Sequence, residues 1–326
     1  MHPYKILRAA ALLTSFGLFA ACNKNNDTPA GNDNSVADLQ TQADDQAFVT
    51  NEDEAVSNDV NTALYTEATN QRSSERTAAN SDQRIIVGPL KGIICDASIT
   101  VSEADNVRTI TIVYDGSNCA GNRTRTGTIV LTMASGVHWA DKGALINESI
   151  NNLVITRLRD NKSMTFNGSR TFTNVSGGLI ENLSSLGSIT HTVEGALTVT
   201  FDNGKQRAWN VAKQKVFTYN NGIVLTVTGT HADSNGNNNV AVWGTNRFGT
   251  EFESLITQAK VFRQDCDFRL TAGQNELIRA DDIKMIVTYG LNADGNPTSC
   301  PGTGSYYMKI VINKKDGTQV TKIVAY

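Results

Sequence analysis

From residue 84 onward the chain alternates. Ile110, Ile112 and Tyr114 interleave with Thr109, Thr111 and Val113, and Ile129, Leu131 and Met133 interleave with Thr128, Val130 and Thr132. The same two-residue period returns over 193–201, 223–227, 283–289 and 308–312. β-branched side chains and threonine at this spacing suit a pleated surface with one dry and one wet face. Between the runs stand Asp202-Asn203-Gly204, Asn220-Asn221-Gly222, Asn235-Gly236, Asp294-Gly295 and Asp316-Gly317, which supply the positive-φ residues of tight hairpins. No helical period of useful length follows residue 84, which argues against a parallel βαβ topology. The expected fold is all-β: an antiparallel, many-stranded sandwich or elongated curved sheet.

The first 83 residues read differently. Lys5 and Arg8 precede an uncharged run from Ala9 to Ala21, 13 residues long. That is too short to span a bilayer, which takes about 20 residues, and right for a signal peptide. The run ends Leu18-Phe19-Ala20-Ala21-Cys22. Small residues before a cysteine, and a polar chain after it, predict a lipoprotein signal over 1–21 with lipidation at Cys22, palmitate included. Residues 22–83, rich in Asn, Asp, Gln, Ala, Thr and Ser, read as a flexible polar tether. Within it, Asn51-Glu52-Asp53-Glu54 resembles a capping box, with Val56, Val60, Ala63 and Leu64 following at helical spacing. A short amphipathic helix is expected over 51–66, its acidic first turn at the positive end of the helix dipole. The β-rich domain then covers 84–326.

Cys22 set aside, Cys95, Cys119, Cys266 and Cys300 form an even set that admits three pairings. Their positions around candidate hairpins favour Cys95–Cys119 and Cys266–Cys300, structural bridges of an exported protein. Neither pair is a C-x-x-C, and no short paired knuckles suggest zinc. Both pairs share an outline of cysteine, strand, tyrosine near glycine, loop cysteine and strand, so the domain divides into two similar sub-modules near 258.

The block that runs from Cys95 through Thr109-Ile110-Thr111-Ile112-Val113-Tyr114-Asp115-Gly116 and Cys119 to Arg125-Thr126-Gly127 resembles a pattern in uncharacterised β-rich envelope lipoproteins of Bacteroidota-type bacteria. The Cys266 and Cys300 block is similar to it as well. The resemblance implies an outer-membrane lipoprotein, on the periplasmic or the surface face, held by its lipid. It implies no activity.

Charge and chemistry narrow the function. A net charge of −3 with 19% charged residues gives no field to gather nucleic acid. His138, His191 and His231 stand in no H-E-x-x-H or other ligand-spaced cluster, and no G-x-S-x-G elbow or phosphate-cradling loop is present. No catalytic residue, metal or cofactor is assigned. Asp233 to Asn239 offers alternating oxygen ligands, but its early glycine and missing terminal glutamate fit an Asx turn better than a calcium loop. Trp139 and Trp243 are candidate stacking platforms for sugars, and Trp209 alternates with Val211 as a core residue would. Glu251 and Glu253 are the one carboxylate pair a glycosidase could use, although i and i+2 on a strand share a face rather than flank a bond. The expectation is a lipid-anchored, non-catalytic binding or scaffolding module, its partners a membrane and a glycan or an envelope protein. The alternatives are a glycan-acting hydrolase and a carrier of lipid or another hydrophobic ligand.

Overall fold

No glycine or proline interrupts residues 36–75, and there the chain forms one helix, α1 (Val36–Glu75). The computed structural model describes residues 36–75, 94–234, 236–300 and 304–326. The signal segment and Cys22 lie outside them. Helix α1 contains the expected 51–66 and runs well beyond it at both ends, so Asn51 sits mid-helix rather than at a cap. Three threonines inside the helix are satisfied locally. The Thr41, Thr62 and Thr66 hydroxyls donate to the carbonyls of Ala37, Asn58 and Thr62, four residues back.

The β chain supplies, among the described residues, fourteen antiparallel strands: β1 (Ala97–Ala104), β2 (Val107–Ser117), β3 (Arg123–Ala134), β4 (Ala144–Arg157), β5 (Lys162–Asn174), β6 (Ser188–Phe201), β7 (Gln206–Tyr219), β8 (Ile223–Gly229), β9 (Val240–Thr245), β10 (Glu251–Arg263), β11 (Arg269–Arg279), β12 (Lys284–Leu291), β13 (Tyr307–Asn313) and β14 (Gln319–Ala325). They form one sheet, each strand beside its sequence neighbour except around β8 and β9. Residue 258, the suggested division between sub-modules, lies within β10, and the sheet passes through it. Cys95 pairs with Cys119 and Cys266 with Cys300, with Cα atoms 5.2 and 5.1 Å apart.

The sheet is curved around α1. Leu39, Ala43, Phe48, Val56, Val60 and Leu64 of the helix are buried in one cluster with Ile99, Ile112, Leu131, Leu153, Val199 and Ile310 of the strands. Acidic side chains point the same way. Of the forty helix residues nine are acidic and one, Arg72, is basic, a formal −8; the remaining 28 basic and 23 acidic residues of the chain carry +5. At 100° per residue, Asp44, Asp45, Glu52, Asp53, Glu54, Asp59 and Glu67 are spread around the circumference. Each meets a cation, Asp45 through Arg247 in the turn between β9 and β10 and the others through strand residues on the concave face.

Candidate binding face and the buried charge network

The interior carries the densest chemistry. On β7, Arg207, Trp209, Val211, Lys213, Lys215 and Phe217 are odd-numbered and all buried, so two lysines and an arginine stand in phase with the apolar residues. Lys213 Nζ lies 2.6 Å from Asp53 Oδ2 and 3.3 Å from Glu54 Oε1. Arg170 on β5 also ion-pairs with Asp53, and its Nε donates to Glu148 Oε2 at 2.6 Å. Burial alone would raise the Asp53 pKa, but Lys213, Arg170 and Lys215 outweigh it and hold this carboxyl well below the usual carboxylate range. On β3, Arg125 grips Asp96 with two hydrogen bonds of 2.7 and 2.6 Å and reaches Asp59 at 2.6 Å; the Tyr114 hydroxyl donates to the same Asp59 oxygen. Arg247 holds Asp45 with a second two-point contact, and Arg157 and Lys162 hold Asp44. Burial still pushes the Asp45 carboxyl up to about 6.

Such pairs contribute little net stability, because desolvation offsets their attraction, but breaking one leaves a dry charge. Sequence reasoning missed them. The available signal was the cation in phase with the apolar face: Arg108 with Ile110 and Ile112, Arg125 with Ile129 and Leu131, Lys213 and Lys215 with Val211 and Phe217.

A second constellation lies on the outer face. β8 and β9 together fill one strand's place between β7 and β10. β8 pairs with Lys213–Tyr219 of β7 and Lys260–Arg263 of β10; β9 pairs with Ala208–Val211 and Glu251–Leu255. Between them residues 230–239 leave the sheet and return. The base of this excursion is pinched at Gly229, where a Cβ would stand 2.1 Å from the Asn239 carbonyl oxygen, so only glycine fits. Main-chain bonds between His231 and Val240, 3.0 and 3.1 Å, close it. Both the Asn237 amide N–H and its side-chain Nδ2 donate to the Asp233 carboxylate, at 2.7 Å each, so Asx side chains hold the loop.

The excursion brings His231 and Asp233 over two residues named from the sequence. Trp243 and Glu253 are directly opposed cross-strand partners, and Asn210 of β7 opposes Trp243 from the other side. Their inward neighbours Trp209, Val242, Phe252 and Ser254 are buried, so these three face outward. The imidazole of His231 stacks on the indole of Trp243, centroids 4.0 Å apart and planes 13° from parallel. Burial and the adjacent Asp233 carboxyl raise the Glu253 pKa. The result is a half-buried aromatic ledge beside an amide and a carboxyl group.

The other sequence candidates lie elsewhere. Glu251 is exposed on the same outer face as Glu253, opposite Thr245. Trp139 is buried edge-on to His191 at 4.8 Å, which makes it a core residue rather than a platform, and Trp209 is core as expected. Asp265, Cys266 and Cys300 gather within 4.8 Å, but both sulfurs are joined in the disulfide. No helix among the described residues is long and apolar enough to cross a membrane. No family model, curated protein or solved structure matches the chain.

Proposed function

We propose that the chain is a lipid-anchored envelope protein, held at Cys22 on the outer membrane, whose β body is a non-catalytic binding module for envelope or environmental glycans. The observation that carries the binding role is the stacked His231–Trp243 pair on the outer face, set beside Asn210, Asp233 and Glu253. Flat rings stack on the apolar faces of sugars, and neighbouring amide and carboxyl groups take their hydroxyls. The likeness to β-rich envelope lipoproteins of Bacteroidota-type bacteria supports the anchor and its location.

The test uses the detergent-solubilised full chain on a glycan array, beside Trp243→Ala. Binding that the variant loses at least tenfold, with unchanged thermal unfolding, is the expected result; equal binding by both proteins, or none by either, overturns the assignment. Mass spectrometry of the native protein checks the anchor, which requires a lipid-modified cysteine at the mature N-terminus and its loss in Cys22→Ser.

A glycan-acting hydrolase is the second reading, because the raised pKa of Glu253 suits a general acid. Glu251 and Glu253 stand side by side on one strand face, however, rather than across a cleft, and Asp233 already accepts two hydrogen bonds from Asn237. Glu253→Gln abolishes turnover only if that reading holds. A carrier of large lipids needs an open apolar cavity, whereas the interior of this sheet is filled by α1 and the cations that pair with it.

A further inference from the structure

Toward the middle of α1 the helix and the sheet separate. Phe217, Leu225 and Phe262 are direct cross-strand neighbours on the inner faces of β7, β8 and β10, and form an apolar wall. Opposite them the helix presents Glu54, Ser57, Asn58 and Asn61, with Lys215 at the junction. As it stands the cleft between them is a slit with room for little more than one water molecule, open to solvent at its mouth.

Its polar side is incompletely paired. Ser57 is 2% exposed, and its Oγ has no hydrogen-bond partner; nor has Asn61 Oδ1, although Asn61 Nδ2 donates to the Ser57 carbonyl at 3.0 Å. Lys215 Nζ ion-pairs with Glu54 Oε2 at 2.7 Å, and an ammonium group has further protons to donate. Buried polar groups left this way cost free energy unless something else satisfies them.

The mouth carries an unusual backbone. Asp267 and Phe268 both have positive φ, 58° and 52°, in the turn that joins β10 to β11. A bulky aromatic residue rarely adopts this conformation, and such strain concentrates at sites that use it. The turn is tied by the Cys266–Cys300 disulfide and by the 2.8 Å bond from the Phe268 amide to the Arg263 carbonyl, which directs Phe268 into the cleft wall.

We propose that this cleft is a binding site for a small amphipathic molecule, an apolar ring carrying a hydroxyl head. The ring lies between Phe217, Leu225, Phe262 and Phe268. The hydroxyl donates to Asn61 Oδ1 or Glu54 Oε2 and accepts from Ser57 Oγ or Lys215 Nζ. Closed, the slit is narrow, and a ring enters by displacing the half-buried Phe268. The site lies on the inner face and is independent of the glycan ledge on the outer one.

p-Cresol and toluene, titrated into the full chain and followed by saturation-transfer NMR, test the proposal. Saturable p-cresol binding, with intermolecular NOEs to Leu225 and Phe268, is expected. Asn61→Leu weakens p-cresol about fivefold, the loss of one hydrogen bond, and leaves toluene within about twofold. Leu225→Trp fills the cleft and abolishes both. The proposal is overturned by absence of saturable binding, by toluene binding as tightly as p-cresol to the unaltered protein, or by undiminished binding in a folded Leu225→Trp. Should that variant not fold, the NOEs in the unaltered protein decide, and their absence at Leu225 and Phe268 is equally fatal.

Discussion

Replacing Lys260 with methionine stabilises the protein, and does so more at pH 6 than at pH 9. Lys260 on β10 is 4% exposed, its Nζ 3.5 Å from Thr50 Oγ1 and 5.3 Å from the Tyr289 ring centre. Burial, aided by the neighbouring Lys213 charge, brings its pKa down from 10.5 to about 7. At 1.36 kcal/mol per unit, keeping this ammonium charged in the interior costs about 5 kcal/mol below pH 7. Methionine forfeits the hydroxyl contact and the ring contact, about 1 kcal/mol each, so the net gain at pH 6 is about 3 kcal/mol. The sign with pH follows from linkage. The folded pKa lies below the unfolded one, so between about 7 and 10.5 the unfolded chain binds more protons and stability rises with pH. By pH 9 the unaltered protein has recovered about half of the cost, and the advantage of Lys260→Met shrinks accordingly. Urea unfolding of both proteins at pH 6 and pH 9 measures the difference. An offset that does not change with pH, or a loss of stability at pH 6, refutes the reasoning.

Four other outcomes follow from the same geometry. Asp53→Ala leaves Arg170 and Lys213 without their shared carboxylate and lowers unfolding stability by about 3–5 kcal/mol, read from the urea midpoint. His191, buried against Trp139 and Phe217 and near Lys215, has its pKa lowered by burial to about 3, so its stabilising effect is complete above pH 6.5 and is lost as pH falls. The loss reaches about 2 kcal/mol at pH 5, and His191→Phe flattens that part of the pH–stability curve. Gly229→Ala forces a methyl group against the Asn239 carbonyl and lowers the thermal midpoint by an amount equivalent to about 1–3 kcal/mol. Non-reducing peptide mapping returns Cys95–Cys119 and Cys266–Cys300 peptides, and a cross-link between the two pairs contradicts the structure.

The strands were legible because their chemistry is local. Alternation at 109–114 and 128–133 falls inside β2 and β3, and Asp202-Asn203-Gly204 and Asn220-Asn221-Gly222 form the turns around β7. The helix was legible only where Val56, Val60, Ala63 and Leu64 lend it an apolar stripe. In its first half Asp44, Asp45 and Gln46 interrupt the apolar Leu39, Ala43, Ala47 and Phe48, so it reads as solvated chain. Its polar residues can be buried only because partners far along the sequence meet them, Arg157, Arg207 and Arg247 among them. The Trp243–Glu253 contact escaped for a related reason. It depends on β8 and β9 sharing one strand position, a register that spacing alone does not encode. His231 and Asp233 accordingly read as parts of a turn and nothing more.

The segment that the sheet encloses leaves the ribosome before any strand does. Gln42 finds Arg279 only across 237 residues of intervening polypeptide, and pairings so distant make for slow maturation. Arg125, Arg157 and Arg170 on early strands offer partners to Asp59, Asp44 and Asp53, whereas Gln42 waits for β11. The acidic rod thus acts as an internal mould: strands arriving in succession curl onto it, and the last of them settles only once the whole length is made.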